Sequence, residues 1–368
     1  MTPVQAMWMA IEEAKKGIGF VSPNPLVGCV ILDSNFELLS QGYHAKVGGP
    51  HAEVAALSAV SDISKLKGAH VFVTLEPCAH HGRTPPCAEA LAKLPLASVT
   101  YGVLDPNPLV AGKGVEIIKQ AGIAVHALPE LKDDLEDLAE IFLTNMREKR
   151  PFVAIKVATS LDGQMALASG ESQWITSEEA RAHVQELRGA YDAVMVGVGT
   201  FLADDPKLNS RDLRFQNKSQ KAVLLDPDGR SFDKLASSAL LQVRRPEELF
   251  VVTNSSVKLP MNLSGVQHLK ASMTREAWDW SSIFQQLFER EVKSVLVEGG
   301  GFVYSQLLEK QKVDRLFVYV APKILGAGGG MSWTKDLSLA KLSDATTLSR
   351  VKRQPFGPDL LITGRIRP

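Results

Sequence analysis

The chain has 368 residues, 45% hydrophobic and 22% charged, a composition that suits a globular protein of two or perhaps three folded units. Lys plus Arg and Asp plus Glu both total 41, so the net charge is zero, which argues against the basic groove of a protein that grips polynucleotides. Three cysteines rule out a useful disulfide framework, and the longest apolar window, 193–203, falls far short of the roughly 18 residues a membrane span requires.

The opening residues, 1–14, lack a basic leader and carry Glu12 and Glu13 by the second turn. They read as an amphipathic first helix rather than a secretory signal, and the expected location is the cytoplasm, with neither membrane nor nucleic acid as partner. Short apolar runs then alternate with helical patterns: strand 27–32, a helix opened by His51, strand 71–75, a helix opened by Cys87, strand 98–103, helix 114–121 and a strand near Val125. That order belongs to a layered α/β domain. A charged helical stretch over 131–149 ends at Arg150-Pro151, where proline breaks the helix and strand 152–158 begins. The domain boundary is placed between Asn145 and Pro151, giving units 1–147 and 148–368.

Within the first unit, His51-Ala52-Glu53 and the segment from Thr74 to Cys87 supply three soft metal ligands and one spare carboxylate. His51, Cys78 and Cys87 fill three positions of a tetrahedral zinc and leave the fourth for water, as catalytic sites do. The metal would bring that water's pKa to about 7, and Glu53 would take its proton and return it to a departing amine. Both His51 and Cys87 stand where helices start, and a helix N-terminus depresses a thiol pKa. The usual deaminase spacing between the cysteines is two residues, whereas eight separate Cys78 from Cys87. A closed structural site completed by His80 and His81 is therefore the competing reading, and ordinary buried thiols are another. Cys29, inside an apolar run, reads as a buried strand residue.

The second unit has no metal-ligand spacing. Strand 192–196 runs into Gly197-Val198-Gly199-Thr200, and strand 295–298 runs into Gly299-Gly300-Gly301, each followed by a helical pattern whose first N–H groups can cradle a phosphate. The first turn is not a full dinucleotide fingerprint, because Leu202 stands where a third glycine belongs. Glu298, at a strand end before glycines, is a candidate polar functional group, with Lys156 and Asp162 as further candidates without an assigned step. Residues 210–219 read as a surface loop, and 231–282 as alternating strands and helices without visible chemistry.

Asn24 to Val30, Gly42-Tyr43-His44, His51-Ala52-Glu53, the long Cys78–Cys87 segment and Asp105-Pro106-Asn107-Pro108 together resemble the deaminase half of the bifunctional riboflavin biosynthesis deaminase/reductase family, in which the intercysteine loop is extended. Ser160-Leu161-Asp162-Gly163, 169–176, Leu202 to Pro206 and Tyr319 to Gly326 resemble its reductase half. The resemblance spans nearly the whole chain and implies a cytidine-deaminase-like three-layer α/β/α domain followed by a dihydrofolate-reductase-like α/β domain. It implies one zinc per chain on His51, Cys78 and Cys87, with Glu53 as proton shuttle.

For the second unit the resemblance implies NADPH contacts at Ala158, Trp174, Thr200 and Asp204 and along Gly300, Gly301, Phe302, Val303, Tyr304, Ser305 and Gln306. Contacts to a phosphorylated pyrimidine are implied at Ser172, Arg188, Leu208, Arg211 and Glu298. Residue types alone favour blander roles: solvated surface arginines at 188 and 211, a core position for Trp174, and a turn or cap at Asp204. Pro227 stands where relatives can carry a hydroxyl, which leaves only a backbone contact there. Homo-oligomerisation is not legible in the sequence.

Overall fold

The structure is a computed structural model, and it describes residues 1–80, 86–107, 111–274, 277–326, 330–335, 337 and 339–366. The chain divides into two compact units, Met1–Lys149 and Arg150–Pro368.

The first unit holds five strands, β1 (Gly28–Leu32), β2 (Leu38–Tyr43), β3 (His70–Leu75), β4 (Ser98–Val103) and β5 (Ala124–Ala127), in the spatial order β2-β1-β3-β4-β5. β1 is antiparallel to both its neighbours, while β3, β4 and β5 run parallel. Its helices are α1 (Pro3–Lys15), α2 (Ala52–Ser58), α3 (Cys87–Ala92), α4 (Lys113–Gln120), α5 (Lys132–Leu138) and α6 (Glu140–Glu148).

Strand alternation assigns the two faces. Cys29, Ile31, Val71, Val73 and Val99 pack with residues of α2, α3 and α4, whereas Val30, Leu32 and Phe72 pack with α1, α5 and α6. The result is the expected three-layer α/β/α sandwich. Cys29 is fully buried in β1, as its apolar surroundings suggested. α1 starts at a capping box, with Thr2 accepting from the Gln5 N–H and Gln5 reaching back. The charged stretch 131–149 is two helices rather than one, divided at Ala139.

β2 has no counterpart among the strands read from the sequence. Its buried positions are Ser40 and Gly42 instead of apolar side chains, so period-2 hydrophobicity is absent. Ser40 Oγ donates to the Ala56 carbonyl at 2.8 Å, and a side chain at Gly42 would strike the backbone of α2. β2 is held by close approach and hydrogen bonding, which hydrophobic patterning cannot register.

The second unit begins with a bidentate ion pair: Arg150 donates to both carboxylate oxygens of Asp314, at 2.7 and 2.8 Å, and Asp314 also accepts from the Val153 N–H. Its strands are β6 (Phe152–Ser160), β7 (Gln164–Leu167), β8 (Ala193–Gly197), β9 (Lys221–Leu225), β10 (Leu249–Thr253), β11 (Gln267–Lys270), β12 (Ser294–Gly299), β13 (Arg315–Ala321), β14 (Gly330–Ser332), β15 (Leu348–Phe356) and β16 (Asp359–Ile366). Nine of them form one sheet in the order β11-β10-β9-β8-β12-β6-β13-β16-β15, and β7 pairs with β14. Pairing is parallel from β11 across to β13; β16 and β15 return antiparallel.

The helices of this unit are α7 (Glu178–Ala190), α8 (Val198–Asp204), α9 (Phe232–Leu235), α10 (Ala239–Gln242), α11 (Trp280–Glu289) and α12 (Gly301–Glu309). α11 and α12 cover one face of the sheet and α8, α9 and α10 the other. The polar stretch 210–219 is a connection with one short 3₁₀ turn, Leu213–Phe215, whose Phe215 is buried against Gly189. Among the described residues no helix is long and apolar enough to cross a membrane.

Candidate active sites

In the first unit the ends of β3 and the starts of α2 and α3 converge. His51 is the residue before α2, with extended backbone at φ −68° and ψ 160°, so its ring leaves the helix axis while Glu53, one residue into the helix, turns inward. Cys87 opens α3 behind Pro86, and Cys78 lies just beyond β3. The Sγ atoms of Cys78 and Cys87 stand 3.6 and 3.3 Å from His51 Nδ1, and all three ligand atoms lie within 4.8 Å of one another. A tetrahedron with metal–nitrogen and metal–sulfur bonds of about 2.0 and 2.3 Å has N···S edges of about 3.5 Å. The spacing therefore suits zinc.

The competing four-ligand reading finds no support among the described residues. His80 is exposed and stands apart from the ligand group, and His81 lies outside the described residues. Glu53 is 4% exposed, and burial pushes its carboxyl up to about 7, into the range of a group that both takes and gives protons near neutrality. Cys78, hydrogen-bonded to Cys87 and His51, is held well below the ordinary thiol range, while Cys87, which shares that hydrogen bond and is buried, is raised. Cys78 also accepts the Cys87 backbone N–H at 3.3 Å.

Behind these groups lies a network whose members Asn24 and His44 stand in motifs that carry the family resemblance but had no role read for them. His44 is buried; its Nδ1 sits 2.9 Å from the Pro50 carbonyl and its Nε2 3.0 Å from Asn24 Nδ2. With Nδ1 protonated, the ring donates to the peptide preceding His51 and accepts from the Asn24 amide. Glu76, also buried, is surrounded by backbone N–H groups from beyond β4.

In the second unit β8 and β12 are adjacent and parallel, so the two glycine turns arrive side by side. A side chain at Gly299 would meet Thr200 at 2.8 Å, and Gly300 takes φ 94°, open mainly to glycine. α12 starts there without a side-chain cap, so no cap side chain takes up its first N–H groups. A Cβ at Gly301 would come within 3.3 Å of the Ser332 and Trp333 carbonyls. From the same segment only Phe302 is exposed; Val303, Tyr304, Ser305 and Gln306 are buried. The Tyr304 hydroxyl donates to the Lys156 carbonyl, Ser305 accepts from the Lys335 N–H, and Gln306 accepts from the Trp278 N–H.

Glu298 lies at the centre. Arg188 grips it with two bonds, 2.6 and 2.9 Å, and Lys156 Nζ stands 3.2 Å away. Burial alone would raise this carboxyl, but the two cations hold it down at about 2. Arg188 is thus no solvated surface arginine, and a third nitrogen donates to the Asn209 carbonyl. Arg211 is exposed, with its N–H on Gln185. Leu208 is buried at φ 51°.

Trp174 overturns the core reading. It is 59% exposed, its ring faces Arg181 at 4.5 Å, and its carbonyl accepts from Lys323. Its segment, 169–177, is polar apart from Ile175. Ser172 is half-buried on the same segment, Ala158 half-buried on β6 and Asp204 exposed at the end of α8. The capping duty falls to Asp205, whose carboxylate accepts from the Ala239 N–H. Asp162 also serves structure, accepting from Ser160 and from the Leu325 and Gly326 N–H groups. The Pro227 carbonyl is already engaged by the Asn254 N–H.

Two family models match this chain. The RibD C-terminal domain covers residues 151–362, and the cytidine and deoxycytidylate deaminase zinc-binding region covers residues 2–103. The riboflavin biosynthesis protein RibD of Actinobacillus pleuropneumoniae is 39% identical, over 98% of this chain and 95% of its own. Among solved structures, Acinetobacter baumannii RibD is 36% identical with a TM-score of 0.83, covering 100% of this chain and 99% of that one. A diaminohydroxyphosphoribosylaminopyrimidine deaminase/5-amino-6-(5-phosphoribosylamino)uracil reductase from Thermotoga maritima is 34% identical with a TM-score of 0.81, covering 99% of both chains.

Proposed function

The chain belongs to the RibD family of bifunctional riboflavin biosynthesis proteins, with a cytidine-deaminase-like domain followed by a dihydrofolate-reductase-like domain, and from that premise we propose the reactions and residues of each half. The first half hydrolytically deaminates 2,5-diamino-6-ribosylamino-4(3H)-pyrimidinone 5′-phosphate. The second reduces the ribosyl group of the deaminated product to the ribitylamino compound with NADPH.

The observation that carries the deaminase reading is the convergence of His51, Cys78 and Cys87 around a buried, unligated Glu53. A zinc ion on these three ligands supplies the Lewis acidity that makes water a competent nucleophile near neutral pH. Glu53 moves the proton: its carboxylate accepts it from the attacking water and delivers it to the exocyclic amine, which leaves as ammonia. Its burial keeps both protonation states accessible at the working pH.

For the reductase, NADPH when bound supplies the hydride, and this chain holds and aligns the partners. The uncapped start of α12 behind Gly300 is the proposed cradle for the cofactor's pyrophosphate. Thr200 lines the same hollow, and Ala158, Asp204 and Phe302 flank it in the proposed contact set. Exposed Trp174 offers a flat face to an aromatic ring. From Val303 to Gln306 the contribution is indirect, through a buried helix that fixes the cradle. On the substrate side, Glu298 accepts from ribose hydroxyls or the amine while Arg188 and Lys156 hold it ionised. Ser172, the backbone around Leu208, and Arg211 complete that side, with Arg211 placed for the phosphate.

Two thiolates kept free for metal fit a reducing compartment, and the cytoplasm is the proposed location. Chelation tests the division of labour. Removing zinc is expected to stop ammonia release while NADPH oxidation on deaminated substrate continues; loss of both activities together would contradict two separate sites.

A further inference from the structure

Glu76 is 3% exposed, two residues before Cys78, and its carboxylate faces backbone rather than a cation. One oxygen accepts from the N–H groups of Asp105 and Gly112 at 3.2 and 3.0 Å; the other accepts from Gly114 and Val115 at 3.1 and 3.4 Å. Three of these donors belong to the start of α4, whose own leading residue, Gly112 at φ 85°, provides no side-chain cap. A carboxylate from another strand therefore caps this helix.

The same contact fixes the path into the metal centre. The Glu76 N–H donates to the Val103 carbonyl at 2.8 Å, and a side chain at Gly114 would collide with the Pro77 carbonyl. Cys78 follows at once: its carbonyl accepts from the Ala88 N–H and its sulfur from the Cys87 N–H. Residues 76–78 are thus clamped on one side by α4 and on the other by α3, with the Cys78 sulfur 3.6 Å from His51 Nδ1.

We propose that Glu76 is a positioning residue of the deaminase centre, which sets the Cys78 ligand by tying its strand to the loop after β4 and the start of α4. The inference rests on the zinc deaminase reading. Glu76 touches neither metal nor reacting atoms; it acts through backbone. Groups that orient metal ligands from behind commonly change affinity by about 10- to 100-fold when altered.

The test compares the full-length wild-type protein with Glu76→Gln, whose amide presents one acceptor and one donor to a pocket lined by donors. Zinc retention is measured by competition with a chelator, and the absorption bands of the cobalt-substituted protein report ligand geometry. Glu76→Gln is expected to weaken metal retention about tenfold or more and to shift the cobalt–thiolate bands, with reductase turnover unchanged. Wild-type retention and an unshifted spectrum in the variant would overturn the proposal, while failure of the wild type to bind zinc would overturn the deaminase reading beneath it.

Hydrogen exchange on the wild-type chain provides the second measurement, independent of the variant's folding. Stripping zinc is expected to loosen the amides of Asp105, Gly112, Gly114 and Val115. Equal protection with and without metal would show that the clamp is not coupled to the centre and overturn the proposal.

Discussion

Cys87 Sγ stands 3.3 Å from His51 Nδ1, across 36 residues of sequence, because two helices begin at the same end of one sheet. Neither residue is placed by the other; both are placed by the helices that begin at that end of the sheet. Replacing either ligand leaves two donors, too few for a tightly held zinc. His51→Ala and Cys87→Ser are each expected to lose bound zinc, measured by elemental analysis after dialysis, and to abolish ammonia release while leaving NADPH oxidation intact. Full zinc occupancy in either variant would contradict the ligand assignment.

Glu53 is separable from metal binding, since it is a proton carrier and not a ligand. Glu53→Gln keeps the shape and removes the basicity, so zinc content should match wild type while deaminase kcat falls by about 10²- to 10⁴-fold. Loss of metal in this variant would assign Glu53 to the ligand shell instead.

The Glu298 cluster couples stability of the second unit to pH. Its folded pKa is depressed, from an ordinary 4.5 to about 2, so the stabilisation is fully present above 4.5 and disappears as pH falls through about 2. The shift corresponds to roughly 3 kcal/mol. Glu298→Gln leaves Arg188 and Lys156 facing a neutral group, and should lower the unfolding midpoint at neutral pH and flatten its fall across that acid window. A variant that keeps the wild-type acid profile would show that another group carries the dependence.

Trp174 contributes little to the fold because most of its ring faces solvent and its stabilising contact is the Arg181 guanidinium. Trp174→Ala should change stability by no more than about 1 kcal/mol, and raise the KM for NADPH about three- to tenfold if the ring meets the cofactor. Steady-state kinetics at saturating substrate measure this, and an unchanged KM would remove Trp174 from the cofactor site.

How much of this was legible depended on where each signal resides. The zinc ligands could be read because three residues of two scarce types, one His and two Cys, lie close in sequence with His51 and Cys87 at helix starts, and most of the strands of the first unit could be read because their buried positions are apolar. β2 was hidden because Ser40 and Gly42 face inward. The partnership of Arg188 with Glu298 spans 110 residues and leaves no local pattern. Glu76 was invisible for a different reason: its partners are backbone N–H groups, which every residue but proline possesses, so no side-chain motif marks them. Trp174 was misjudged because aromatic bulk ordinarily means core, whereas its segment is polar apart from Ile175, with Ser172 and Gln173 before it and Thr176 and Ser177 beyond.

The most direct test incubates the zinc-loaded protein with the diaminopyrimidinone ribosyl phosphate, with and without NADPH, and follows ammonia and reduced cofactor together. Ammonia release without NADPH, and cofactor oxidation only after deamination has begun, is the predicted result. Cofactor oxidation that precedes ammonia, or the absence of both signals, would contradict a chain that deaminates first and reduces second.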